Sequence, residues 1–177
     1  DIFHYIYAVL HNPAYIKKYK LNLKRDFPRI PFYNNFKTWA NWGKALMDMH
    51  INYENIKPFN LKVIETKVTR FCKKPFESKP DIKVKLKADK LSGIIELDEE
   101  TTISGIPKQA WEYKLGNRSA IEWILDQYKE KKPKDPTIAK QFNTYRFADY
   151  KKDIIELIKK VCAVSLETVK FIEEMER

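Results

Sequence analysis

The sequence predicts an α+β fold, with helical segments at both ends packed together and a small antiparallel β-sheet inserted between them. Three observations predict it. Apolar residues recur at helical spacing near both ends of the chain, residues 82–87 alternate strictly between apolar and lysine, and residues 61–68 are rich in β-branched side chains. At 44% hydrophobic and 14% aromatic, the 177 residues can build a core of their own, which excludes a disordered tail.

Residues 2–11 read as a helix with Phe3, Ile6, Tyr7 and Leu10 on one face. Asn12-Pro13 then restarts the chain, because Asn is a good N-cap and Pro suits the first helical position. A second helix follows through Tyr15, Ile16, Tyr19 and Leu23 and ends before Pro28. Residues 27–32 must be extended, since Pro28 and Pro31 each push the preceding residue out of the helical region. A third helix begins near Asn35 and carries Phe36, Trp39, Ala40, Gly43, Leu46, Met47 and His50 as a core stripe, with His50 at a helix–helix contact.

The middle changes period. Ile82, Val84 and Leu86 alternate with Lys83, Lys85 and Lys87, which marks a half-buried strand with a lysine face. Strands at 61–68, 93–97 and 101–104, with turns at 90–92 and 98–100, complete an antiparallel sheet. Helices return after Gly116. Ser119 and Glu122 form a capping box ahead of Ile121, Ile124, Leu125 and Tyr128. Residues 129–137 read as an exposed loop, and a long helix runs from about Asp149 to Glu174. The expected organisation is one unit over 1–177: helical at 1–56, mainly sheet and loops at 57–113, helical at 114–177. The chain starts at Asp1 with an apolar pattern and no initiator Met, so we expect a piece of a larger polypeptide.

Charge narrows the partner. The net charge of +10 favours polyanions, meaning nucleic acid or an anionic membrane surface, although a plain lysine coat gives the same balance. The charge is uneven: Lys57–Lys90 holds 11 basic and 4 acidic residues, whereas Glu96–Glu112 is acidic. Cys72 and Cys162 stand far apart with no CxxC or Cys/His cluster, which argues against structural zinc and for free thiols in a reducing cytoplasm. Neither a signal peptide nor an apolar run of the roughly 20 residues a membrane span needs is present.

Short catalytic patterns carry little. Asn12-Pro13-Ala14-Tyr15 is close to the Asn-Pro-Pro-Tyr loop of amino-methyltransferases, but its second proline is missing and the four glycines form no cofactor turn. Glu65-Thr66-Lys67 is half of a metal-dependent nuclease motif, and Asp48, in a helical pattern, is the only nearby carboxylate to complete it. Glu96, Asp98, Glu99 and Glu100 crowd a turn without the spacing and glycine of a calcium loop. His4, His11 and His50 are isolated in sequence, and no Walker loop is present.

Seven ordered blocks say more. They are Tyr5–Pro13, Phe27–Phe32, Trp39–Leu46 with His50 and Tyr53-Glu54, Ile103–Pro107, Trp111–Ser119, Glu122–Tyr128 and Val164–Val169. Together they resemble the C-terminal specificity domain of type ISP restriction-modification enzymes and related helicase–methyltransferase proteins.

That resemblance implies sequence-specific recognition of duplex DNA, with the target presented to an adenine methyltransferase domain earlier on the same polypeptide. It also implies that catalysis, with S-adenosylmethionine, ATP and magnesium, belongs to the parent enzyme, and that this chain holds no cofactor. Residues 57–89 and 129–145 match no shared block and are the natural carriers of varying specificity. The expected DNA contacts are Arg70, Lys73, Lys74, Lys83, Lys85, Asn117, Arg118, Lys131, Lys132, Lys134 and Arg146, with Arg29, Gln141 and Asn143 also of suitable type. Trp111, Trp123 and Tyr128 are expected to fix the sheet against the helices. The competing readings are a module that couples methyltransferase to motor without reading bases, and a nuclease using Glu65 and Lys67.

Overall fold

A computed structural model describes residues 1–66, 82–130, 135–142 and 145–176. The helices are α1 (Ile2–His11), α2 (Pro13–Lys18), α3 (Phe36–Ile51), α4 (Ala120–Gln127), α5 (Pro136–Phe142) and α6 (Phe147–Glu176). The strands are β1 (Lys62–Glu65), β2 (Val84–Asp89), β3 (Ile94–Asp98), β4 (Thr101–Ser104), β5 (Lys114–Leu115) and β6 (Arg118–Ser119). The fold is α+β, with the sheet set between helical segments of the two chain ends.

Two cores form, and α6 joins them. The first packs α1 on α3: Tyr5, Ala8, Val9, Trp39, Ala40 and Leu46 are buried, and Met175 from the end of α6 closes the cluster. The second lies under the sheet and takes Ile95, Leu97, Ile103, Trp111, Ile121 and Leu125 with Phe147, Ile154, Ile158 and Cys162 from the first half of α6. A 30-residue helix spans about 45 Å, enough to reach both.

Backbone contact decides which face of α1 is buried. A Cβ on Gly43 would sit 1.7 Å from the His4 carbonyl oxygen, so α1 and α3 touch main chain to main chain there. This rotates Tyr5, Ala8 and Val9 inward and corrects the expected face: Phe3 is 69% exposed, and Ile6, Tyr7 and Leu10 are half-buried. The second helix also stops sooner than its apolar spacing suggests. Asn12 caps it, its side chain accepting the Tyr15 N–H at 2.8 Å, but the helix ends at Lys18. The chain turns through a short 3-10 helix at Asn22–Lys24 so that residues 29–33 return beneath the Tyr5 and Tyr15 hydroxyls.

The sheet has the order β1-β4-β3-β2, all antiparallel. The predicted alternation in β2 holds, with Leu86 inward and Lys85 and Lys87 outward, and a bulge lies between Val84 and Lys87. Leu86 takes φ +43 within it, a left-handed conformation that its burial holds in place. Asp98 ties the β3–β4 turn to α6. Its carboxylate accepts the Glu100 and Thr101 N–H groups at 2.8 and 2.7 Å and pairs with Lys151 at 2.8 Å.

After the sheet, a 3-10 turn (Lys108–Trp111) buries Ala110 and Trp111, and the expected capping box of Ser119 and Glu122 opens α4. Two expectations need correction here. Trp123 is 46% exposed, so of the two tryptophans only Trp111, at 5%, is core. The stretch read as loop through 137 gives way to α5 at Pro136, where Asp135 accepts the Thr137 N–H at 2.7 Å. Among the described residues, no helix is long and apolar enough to cross a membrane.

Candidate nucleic-acid interface

Lys87 of β2 and the residues along α4 come together along one groove. Its walls are Leu86, Lys87 and Ala88 from β2 and Arg118, Glu122, Leu125, Asp126 and Lys129 from the α4 side, enclosing about 410 Å3. The β5–β6 hairpin presents Arg118. Its two-residue loop is Gly116-Asn117, and Gly116 takes φ +72, which a residue with a side chain adopts only at a cost. Asn117 therefore stands at the hairpin tip, exposed, next to Arg118.

Carboxylates hold the cations of the groove in place. The Arg118 guanidinium donates to Asp126 Oδ2 at 2.7 Å, and Lys129 donates to Asp126 Oδ1 at 3.2 Å. These two bonds, Arg118 first, hold the Asp126 carboxyl below its usual range. Lys90 meets Glu122 at 2.8 Å. Burial works to raise Glu122, but hydrogen bonds from Lys90 and Ser119 outweigh it and leave the group lowered. An anion entering the groove would find Arg118 already oriented but would compete with Asp126 for it.

The other expected contacts are spread out. Lys83 and Lys85 are exposed on the β2 segment, and Lys85 pairs with Glu96 of β3 at 3.1 Å. Arg146 is exposed ahead of α6, donating to the Tyr145 carbonyl at 2.9 Å, and is not part of the groove. Arg29 and Gln141 are exposed away from the groove walls. Arg70, Lys73, Lys74, Lys131, Lys132, Lys134 and Asn143 lie outside the described residues. Lys87 and Lys129 were not among the expected contacts. The β2 alternation already placed Lys87 on the outward face, whereas nothing in the sequence brings Lys129 to Arg118.

Two other expectations concern chemistry. Glu65 is exposed on β1 opposite Thr101, Asp48 lies on α3, and Lys67 is outside the described residues. Among the described residues, no three His, Cys, Asp or Glu side chains gather as a metal site. The Cys162 thiol is pushed up to about 12 by burial, so it stays protonated and unreactive, and Cys72 is outside the described residues.

His50 sits where expected, between helices. It bonds the Tyr7 hydroxyl through Nδ1 at 2.7 Å and the Thr168 hydroxyl through Nε2 at 2.8 Å, and stacks on Tyr113 at 5.4 Å. Burial first, and the neighbouring His11 second, push it down to about 4.

No curated protein sequence matches the chain. Among solved structures, the DrdV–DNA complex superposes with a TM-score of 0.87 at 49% identity, covering 99% of this chain and 18% of that one. A nuclease-deletion mutant of the type ISP restriction-modification enzyme LlaGI, in complex with a DNA substrate mimic, gives 0.72 at 35% identity, covering 97% and 16%. The ATP-dependent type ISP enzyme LlaBIII bound to DNA gives 0.74 at 30% identity, covering 98% and 11%. This chain thus spans less than a fifth of each of these proteins. The model of the type ISP C-terminal specificity domain matches residues 1–157, and the chain belongs to that family.

Proposed function

We propose that this chain reads a specific duplex DNA sequence for a restriction-modification enzyme and presents the site to an adenine methyltransferase carried on the same polypeptide. In this reading the domain performs no catalysis, and S-adenosylmethionine, ATP and magnesium serve the rest of the enzyme. The observation that carries it is the family match over 1–157, together with three similar structures that are all DNA complexes. The groove between β2 and α4 supports it physically: Lys87, Arg118 and Lys129 line one wall-to-wall channel beside the lysine face of β2.

Roles divide by side-chain chemistry. Lys83, Lys85, Arg118, Lys131, Lys132 and Lys134 would neutralise phosphates, and Arg70, Asn117 and Arg146 have the forked donors or amides that read base edges. Arg70, Lys73 and Lys74 follow β1 in sequence and would add to the cationic contacts.

The test is duplex binding by the 177-residue chain across a salt series. We expect weak affinity that falls steeply with salt, and a slope reduced by about one unit in Arg118→Ala if that residue holds a phosphate. Binding that is absent at low salt, or indifferent to salt, removes the basis of the reading. Incubation of plasmid with magnesium or manganese should leave the DNA intact, and Glu65→Ala should leave cleavage by the parent enzyme unchanged.

A further inference from the structure

Two aromatic side chains stand almost wholly in solvent, Phe27 at 95% and Phe32 at 98% exposure. The backbone beside them is nevertheless pinned from Arg29 to Tyr33. The Tyr5 hydroxyl donates to the Pro31 carbonyl at 2.7 Å and accepts the Tyr33 N–H at 2.7 Å, and the Tyr15 hydroxyl donates to the Arg29 carbonyl at 3.0 Å. Tyr33 stacks on Trp39 at 4.6 Å, and Pro28 and Pro31 restrict the chain further. The segment is a strap: its inner side chains belong to the α1–α3 core, and its two phenylalanines point away from it.

We propose that this strap is the anchor by which the domain docks onto the polypeptide that precedes it in the longer enzyme, which rests on the function proposed above. Exposed aromatic rings on a pre-ordered backbone are what an interface hot spot requires, because little conformational entropy is lost when they are buried. Phe27 and Phe32 are at most about 17 Å apart, so one interface of ordinary size covers both. Beside Phe27 a recess of about 190 Å3 has Tyr15, Tyr19, Leu23 and Pro28 as its apolar walls and Asn22, Asp26 and Arg29 at its polar side, and it can receive one side chain from the partner.

Two facts choose the occupant. The matched proteins are more than five times longer than this chain, and the family is by description a C-terminal domain, so a large preceding polypeptide is the partner held at the highest local concentration. Lys24, Arg25, Arg29 and Lys37 flank the strap in sequence, all exposed and with no ion pair among the described residues, against the single carboxylate of Asp26. The complementary surface is therefore apolar with an acidic rim.

The experiment places a photoreactive benzoylphenylalanine at position 32 of the full-length polypeptide and maps cross-links with and without target duplex. A cross-link to residues upstream of this domain, unchanged by DNA, is the expected result. Cross-linking to DNA, to a second copy, only within this domain, or not at all overturns the proposal. A double variant, Phe27→Ser with Phe32→Ser, should leave the unfolding midpoint of the 177-residue chain unchanged, because both rings are already in water. In the full-length enzyme it should slow target methylation by on the order of tenfold to a hundredfold through misplacement of the bound site, and an unchanged rate counts against docking. Sequence-dependent DNA binding by the full-length wild type is measured alongside: its absence defeats the recognition reading whatever the cross-link reports.

Discussion

Replacing Asp98 with Ala should remove the clasp that holds the β3–β4 turn against α6. The carboxylate is 4% exposed and serves three donors: the Glu100 and Thr101 amides and the Lys151 ammonium. Removing it strands two amides and leaves Lys151, whose side chain is 21% exposed, without its counter-charge. Breaking a buried pair from one side costs about 3–5 kcal/mol, and the partial exposure of Lys151 brings the figure to the lower end, about 3 kcal/mol. For a chain of this length that lowers the melting temperature by roughly 6–12 °C. Lys151→Met should cost less, about 1–2 kcal/mol, because the two amide bonds to Asp98 survive. The double variant should show coupling of about 1–2 kcal/mol. The same turn receives β1, since the Thr66 N–H donates to the Glu100 carbonyl at 2.7 Å, so the variant should also loosen the strand that leads into the basic stretch after it. Thermal unfolding followed by circular dichroism, with amide exchange at Thr66, measures both effects. A shift of less than about 2 °C for Asp98→Ala would refute the reasoning.

Two further outcomes are expected. His50 is neutral in the fold and has a folded value of about 4 against about 6.5 when unfolded, so the unfolded chain binds the extra proton between these values. Stability is therefore full above pH 6.5 and is lost as the pH falls toward 4. The ceiling is about 3.4 kcal/mol, which solvent screening at this partly exposed site reduces to about 1–2 kcal/mol. His50→Gln should flatten that part of the pH profile relative to wild type, and denaturant midpoints between pH 4 and 7 measure it. Trp111→Ala should cost about 3–5 kcal/mol as a core truncation, whereas Trp123→Ala, half in solvent with one bond from Nε1 to the Leu115 carbonyl at 3.0 Å, should cost only about 1–2 kcal/mol. Equal losses in urea unfolding would contradict the burial of one and the exposure of the other.

Much of this protein was legible because local physics leaves marks in local sequence. Asn12-Pro13 and Ser119 with Glu122 announce their helices through the side chains that satisfy free backbone N–H groups, and both caps form as read. The β2 alternation of lysine with Val84 and Leu86 follows from the two-residue period of a strand between core and water. The start of α5 was equally legible in Asp135-Pro136, but the lysine-rich composition around it hid the signal. The seven blocks named the family, which no periodicity alone could do.

What the sequence by itself determined is the main helices and the four-stranded sheet, though not α5 or the β5–β6 hairpin, together with boundaries where a cap or proline enforces them, the basic character of the chain and the family. Tertiary structure alone decided how those elements turn toward one another. The close main-chain approach of Gly43 to His4, which any side chain at 43 would block, goes with burial of the Tyr5, Ala8 and Val9 face of α1 in place of the Phe3, Ile6 and Leu10 pattern. Trp111 enters the core and Trp123 stays half in solvent although both lie in aromatic-rich blocks, because α4 presents only one stripe to the sheet and α6. The pairing of Lys87 with Arg118 and Lys129 along one groove depends on packing β2 beside α4 across more than thirty residues of sequence. Charge balance counts cations but not their positions. Only the packed chain brings Lys87, Arg118 and Lys129 to one groove.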